Sequence, residues 1–283
     1  MKQLAPILLC IVSACSAQTG ALPRQVANDV LEIGRIQHPL ITESSGIVIS
    51  RRDTNVFWTH NDGGGRKQVL YAITRTGKSL AEYRVAGALL NDWEDIAADS
   101  HGHLFLGDIG NNDAKHSEIS VHQIDEPDIS KSPGGVVNVA RTWRLHFQKQ
   151  PFDCESLFVW GDFGYVISKV FDDAKAELFR FSLTNNSVQT LEFVAQLKID
   201  SPVTGADISQ DGKLVGVVAK NGAYAFRIGG DPARINEHKL HHTKFKHEHI
   251  EACTFVPEGL LATAESREIY LFTDDAFIPK KKK

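Results

Sequence analysis

Five short segments of the chain open on an oxygen-bearing side chain, and gathered together they could hold a hard cation. They are Ser45-Gly46-Ile47-Val48-Ile49, Glu94-Asp95-Ile96-Ala97-Ala98, Glu155-Ser156-Leu157-Phe158-Val159, Thr204-Gly205-Ala206-Asp207-Ile208 and Glu251-Ala252-Cys253-Thr254-Phe255. The leaders Ser45, Glu94, Glu155, Thr204 and Glu251 are spaced by 49, 61, 49 and 47 residues. Three carboxylates and two hydroxyls at one spot raise one another's pKa values unless a cation or a donor sits among them. An irregular oxygen-only set suits Ca²⁺ better than Zn²⁺, which takes nitrogen and sulfur, or Mg²⁺, which demands a tight octahedron. The alternative for the same residues is hydrogen bonding to neighbouring backbone.

The elements that must position these leaders are strands. Each leader begins a stretch in which apolar side chains recur at every second place, the period of a strand. A second strand follows each turn: Val56–Thr59, Leu104–Gly107, Tyr165–Ser168, Leu214–Val217 and Leu260–Thr263. Asp211-Gly212 and His101-Gly102 are hairpin signals before two of them. Third strands are expected at Val69–Thr74, Ile119–Ile124, Glu177–Leu183, Ala223–Ile228 and Ile269–Thr273, and fourth strands in four of the repeats, such as Leu80–Val85 and Arg141–Phe147. The last repeat lacks a fourth strand, and Val30 to Gln37 has no other partner, so this N-terminal strand is expected to close the ring and remove an open edge. The fold expected is all-β, a five-bladed β-propeller over 29–278, with Asp125 to Val139 as a Pro/Gly/Ser-rich insertion. A six-bladed propeller is the alternative if that insertion hides strands.

In such a fold the innermost strands begin near the axis, and the loops between second and third strands open on the same face. Those loops are polar: His60-Asn61-Asp62-Gly63-Gly64-Gly65-Arg66, Gly107 to Asp113, Ser168-Lys169 with Asp172-Asp173, Lys220-Asn221-Gly222 and Glu265-Ser266-Arg267. Arg66, Lys169, Lys220 and Arg267 would form a cationic rim, with His60, Asn61 and Asn111 as further substrate-binding candidates. A phosphate-bearing small molecule suits that rim around a metal. Asp62, Asp108 or Glu94 could activate a water as general base. Hairpin loops are rich in Asn, Asp and Gly in any case, so each loop also has a purely structural reading. His238, His241, His242, His247 and His249 crowd one segment and could bind a transition metal or simply end a solvated strand. Trp58 and Trp143 read as core, and Trp93 as core or as a mouth residue.

The N-terminus reads as an export signal over 1–17: Lys2, the apolar run Leu4 to Val12, then Val12-Ser13-Ala14-Cys15, a lipobox ending at Cys15. Cleavage after Ala17 without lipidation is the alternative. The run is too short for the ~20 residues a membrane helix needs, so any membrane attachment would be through a lipid anchor. A polar linker is expected over 18–28 and a basic tail over 279–283. Net charge is −4, of which Lys280 to Lys283 contribute +4, so the remainder sits near −8 and argues against a nucleic-acid polymer as partner. Cys154 and Cys253 are buried thiols or, in an oxidising compartment, a disulfide. A monomer is expected.

Two resemblances follow from these motifs. His60-Asn61-Asp62-Gly63-Gly64, Asp92-Trp93-Glu94-Asp95-Ile96-Ala97 and Gly107-Asp108-Ile109-Gly110-Asn111-Asn112 resemble a group of bacterial secreted or lipoprotein propellers. More distantly, Ser45, Glu94, Glu155, Thr204 and Glu251 look like the Ca²⁺ ligand ring of the soluble calcium-activated nucleotidases (apyrases), five-bladed propellers, with Thr204 in place of a Ser. That resemblance implies a central Ca²⁺ and hydrolysis of nucleoside di- or triphosphates. The expected function is therefore an exported propeller with an axial Ca²⁺ site that binds a ligand or partner at the cell envelope. The alternatives are a Ca²⁺-dependent phosphohydrolase, nucleotidase- or phytase-like, and a Ca²⁺-dependent esterase or lactonase.

Overall fold

The computed structural model describes residues 21–63, 68–87, 91–171 and 174–277. The signal segment 1–17 and the basic tail 279–283 lie outside the described residues. The chain opens with β1 (Arg24–Ala27) and β2 (Val30–Arg35). An antiparallel meander follows: β3 (Ser44–Ile49), β4 (Val56–Asn61), β5 (Val69–Thr74) and β6 (Ser79–Ala86). The next comprises β7 (Trp93–Ala98), β8 (His103–Asp108), β9 (Glu118–Asp125) and β10 (Gly134–His146). Then come β11 (Asp153–Trp160), β12 (Phe163–Lys169), β13 (Glu177–Ser182), β14 (Val188–Thr190) and β15 (Glu192–Gln196). They are followed by β16 (Val203–Ile208), β17 (Leu214–Ala219), β18 (Gly222–Arg227) and β19 (His241–Lys244). The last strands are β20 (Ile250–Val256), β21 (Gly259–Ala264) and β22 (Glu268–Thr273). β2 pairs antiparallel with β22, so an N-terminal strand completes the last sheet, and β1 lies outside it in the order β1-β2-β22-β21-β20.

The fold is all-β and propeller-like. The first strands of the meanders pack in a closed circuit: β3 on β7, β7 on β11, β11 on β16, β16 on β20, and β20 on β3. Every residue of β3, β7 and β16 is buried, whereas the outer strand β6 alternates buried and exposed positions. An inner strand is covered on both faces by neighbouring sheets, an outer one on fewer sides. The apolar clusters lie between successive meanders. Val48, Trp58 and Leu70 of one pack against Trp93, Ile96 and Leu106 of the next. At the point of closure, Ile47, Phe57 and Ile73 meet Leu261, Ile269 and Leu271. Trp58 and Trp143 are core residues, and Cys154 and Cys253 are both buried free thiols.

Two expectations need correction. The stretch expected as linker, 18–28, contains β1, which pairs with β2. The expected insertion, Asp125 to Val139, supplies the first half of β10. Gly134 to Asn138 pair in parallel with Glu82 to Ala86 of β6, and Val139 to His146 pair antiparallel with β9. The extra residues therefore join two meanders edge to edge, covering a ladder that would otherwise be open. Among the described residues no helix is long and apolar enough to cross a membrane.

The inner strands are tied to one another across the axis by side chains. Asp95 Oδ2 accepts from Leu157 N of β11 at 2.8 Å and Ala206 N of β16 at 3.3 Å, while its Oδ1 accepts from Ile96 N at 2.8 Å. Asp207 Oδ2 accepts from Thr254 Oγ1 at 2.9 Å and Phe255 N at 2.8 Å of β20. Thr254 Oγ1 in turn accepts from Ile49 N of β3 at 3.1 Å. Small residues allow this closeness. A Cβ on Gly46 would lie 2.9 Å from Ile96 N, and one on Gly205 would lie 2.8 Å from Glu251 O.

Candidate functional site

All five leaders fall at breaks in the ladder between first and second strands. The register skips Ser45, Glu94, Thr204 and Glu251, and in the third meander it skips Glu155 together with Ser156. Such bulges bend a strand and re-aim the skipped side chain. Here the skipped residues gather at one end of the axis. Ser45, Glu94, Glu155 and Glu251 line a cavity of about 200 Å³, together with Glu43, Asp62, Asn112, Lys169, Lys220 and Glu265. Thr204 stands at the equivalent bulge but does not reach the wall. It is fully buried, and its Oγ1 has no hydrogen-bond partner among the described residues.

The cavity is crowded with acid. Asp62, Asp92 and Glu94 each offer an oxygen, all within 4.8 Å of one another. Burial pushes Glu94 well above the ordinary carboxylate range; Glu155, Asp62 and Asp92 push it further, and Lys169 opposes them. Burial raises Glu155 to about 7 against the pull of Lys169, with which it forms an ion pair. Its other oxygen, Oε2, is buried and has no hydrogen-bond partner among the described residues. Burial, with Glu155 and Glu265 next, raises Glu251 to about 9. Burial and then Asp62 raise Asp92 to about 6. Burial works to lower Lys169, but Glu155 more than offsets it and the ammonium is held above its ordinary value. The Ser45 hydroxyl donates to Glu94 O at 3.0 Å and Oε2 at 3.1 Å, which orients that carboxylate. Such a cluster must take up protons or a cation near neutral pH.

Asp92 was not among the sequence candidates, although it sits inside the Asp92-Trp93-Glu94 motif. It precedes β7, and the bulge at Glu94 turns both carboxylates to one side. Gly110 makes room for them. A Cβ there would lie 2.2 Å from Asp92 Oδ2 and 2.6 Å from Glu94 Oε1. Gly63 packs as closely on the backbone of Asn91 to Trp93, seating the Asp62 loop against Asp92.

Among the described residues, His60, Asn61, Asp108, Asn111 and Arg267 do not line the cavity. His60 is fully buried, 5.0 Å edge-on to Trp93; burial lowers its pKa to about 4. Asn61 clamps the preceding turn, accepting from Thr42 N and Glu43 N and donating to Leu40 O. Asp108 Oδ1 accepts from Asn91 N and Asp92 N, so it holds the turn that carries Asp92. Asn111 is buried and tied to Asp153, His116 and Phe152. Arg267 donates to Pro39 O at 3.0 Å. Arg66, Asp172 and Asp173 lie outside the described residues. In the histidine-rich segment, His249 pairs with Glu265 at 2.7 Å and His247 with the Tyr270 hydroxyl at 3.1 Å.

No family model matches the chain, and no curated protein matches it in sequence. Among solved structures, it is similar to a chain in a crystal structure of a nidogen–laminin complex, at 13% identity and a TM-score of 0.45. That match covers 78% of this chain and 72% of the other.

Proposed function

We propose that the protein is an exported, five-bladed β-propeller whose axial cavity holds one Ca²⁺ and, through it, a ligand or partner at the cell envelope. The closed circuit of inner strands supports the blade count. One observation carries the metal: three mutually close carboxylates, Asp62, Asp92 and Glu94, beside a buried Glu155 oxygen that no donor among the described residues satisfies. Oxygen donors alone, irregularly placed, fit a hard cation. Bound Ca²⁺ would cancel the repulsion among these groups and leave coordination positions for an oxyanion. The cavity, about 200 Å³, is below the ~300–1,000 Å³ of ordinary small-molecule sites. It therefore suits an ion with its waters, or one phosphate-sized group, and the rest of a ligand would lie outside.

A second reading is favoured by Lys169 and Lys220 in the same wall. They would neutralise phosphate oxygens while Asp62 takes a proton from an attacking water, which makes a Ca²⁺-dependent phosphohydrolase. A phosphate-release screen over nucleotides and phytate separates the two. Turnover abolished by EDTA and by Glu155→Gln supports the hydrolase, and no turnover alongside Ca²⁺ binding leaves the binding protein.

The pH dependence follows in sign from the raised carboxyls. Their protonation favours the metal-free fold below the ordinary carboxylate range, and this contribution is lost as pH rises through about 6 for Asp92, 7 for Glu155 and 9 for Glu251. Melting in EDTA and in Ca²⁺ from pH 5 to 9 should show a gap that widens with pH; a gap that stays constant counts against the site. Gly110→Ala tests the geometry without removing a ligand. Gly110 does not use the left-handed backbone region, so alanine should fold, yet its methyl must displace Asp92 and Glu94. Ca²⁺ affinity should fall by roughly tenfold or more, the scale of supporting-residue changes at metal sites, while the melting temperature in EDTA stays close to that of the wild type. Unchanged affinity would show that the ion does not use these carboxylates.

A further inference from the structure

The opposite end of the propeller carries a second, larger cleft of about 820 Å³, independent of the acidic cavity. It opens where the turns after β3, β16 and β20 meet, so it lies at the far ends of the inner strands. Its floor is apolar: Ile49, Leu214, Phe255, Val256 and Phe277 all line it. Its volume falls within the ~300–1,000 Å³ typical of small-molecule sites, which combine apolar walls with a few polar anchors.

Two of the anchors here are cationic, Arg51 and Arg227. Arg51, Arg227 and His241 line the cleft, and neither guanidinium forms an ion pair with a carboxylate among the described residues. Arg51 makes one long contact, 3.4 Å to Ala98 O, and its charge also acts on the buried Asp207 carboxylate. Two carboxylates also line the cleft. Asp211 is already committed, to Lys213 Nζ at 2.8 Å and to Ser209 Oγ at 2.8 Å. Asp274 is exposed at the start of the short helical turn Asp274–Phe277. His241 is disfavoured as a cation by burial and then by Arg227 and Lys239, which is what unneutralised positive charge at this spot should do. Arg227, exposed and without an ion pair among the described residues, lies beside apolar surface and is poised to take an oxyanion through paired N–H donors.

We propose that this cleft is a binding site for an amphipathic small-molecule carboxylate, its head on Arg51 and Arg227 and its apolar body on Phe255, Leu214 and Ile49. The acidic cavity plays no part in it, so EDTA is present throughout the test. Dodecanoate is titrated against the full chain by calorimetry, with dodecanol as the uncharged control. The expected result is one saturable site for dodecanoate and at least ~10-fold weaker binding of dodecanol. Arg227→Gln, a change at an exposed side chain, should weaken dodecanoate about tenfold, the scale of one charge-assisted hydrogen bond. Adding Arg51→Gln should weaken it further, with melting curves confirming that both variants fold. Equal binding of the acid and the alcohol, no saturable site, or an Arg227→Gln affinity equal to wild type would each overturn the assignment.

Discussion

Replacing Glu94 by glutamine will cut Ca²⁺ affinity by roughly two orders of magnitude, within the range over which ligand charge tunes such sites. Glu94 stands at the centre of the acidic cavity. It belongs to the group of three close carboxylates with Asp62 and Asp92, it accepts from Ser45, and Glu155 is its largest electrostatic neighbour. Glutamine keeps the shape and the Ser45 contact while removing the charge the ion needs. It also removes a source of repulsion, so the metal-free variant should melt no lower than the wild type, and above neutral pH somewhat higher. That opposition of signs, weaker binding with equal or greater metal-free stability, separates a ligand from a structural residue. A variant that binds Ca²⁺ as the wild type does, or that melts lower in EDTA, would assign Glu94 a structural task instead.

The second large effect concerns stability. Asp95→Ala strips a fully buried carboxyl that accepts from three backbone N–H groups on β7, β11 and β16. Each buried donor left without a partner costs about 1–3 kcal/mol. The variant should therefore lose at least ~3 kcal/mol, which lowers the melting point by about 6–12 °C in a chain of this size. Asp95→Asn keeps one accepting oxygen and should recover part of the loss. Differential scanning calorimetry reads both, and an alanine variant melting within about 2 °C of wild type would mean that the axis is held by packing alone. The contrast with Glu94 is instructive, since the two residues are neighbours on one strand. The bulge at Glu94 sends its side chain to the acidic cavity, and Asp95 faces the axis.

That contrast also shows what could be read from the chain alone. The period between leaders and the orphan strand at Val30 were legible because strand alternation and an unpaired edge are sequence-level facts, and β2 does pair with β22. The convergence of Ser45, Glu94, Glu155 and Glu251 on one cavity followed from the same repeat. The bulges were not legible, because one skipped residue leaves the apolar pattern almost unchanged. Asp92 was missed for that reason. Gly110 lies within the Gly107 to Asn112 motif, but its use, room for two carboxylates, appears only when the loop closes over them. His60, Asn61 and Asn111 misled in the other direction. Polar residues in a loop motif can face a ligand or satisfy the loop itself, and these three turn inward to neighbouring side chains and backbone. The insertion before β10 read as irregular from its Pro, Gly and Ser content, yet an edge strand needed a partner and took it.

That the acidic end of the axis holds one divalent ion can be read by titrating CaCl₂ into metal-free protein by calorimetry at pH 7.5 in buffers of different ionisation enthalpy. One ion per chain should bind, and protons should be released, since Glu251, raised to about 9, must give up its proton as the ion enters. Absence of a saturable heat, or saturation without proton release, would contradict it.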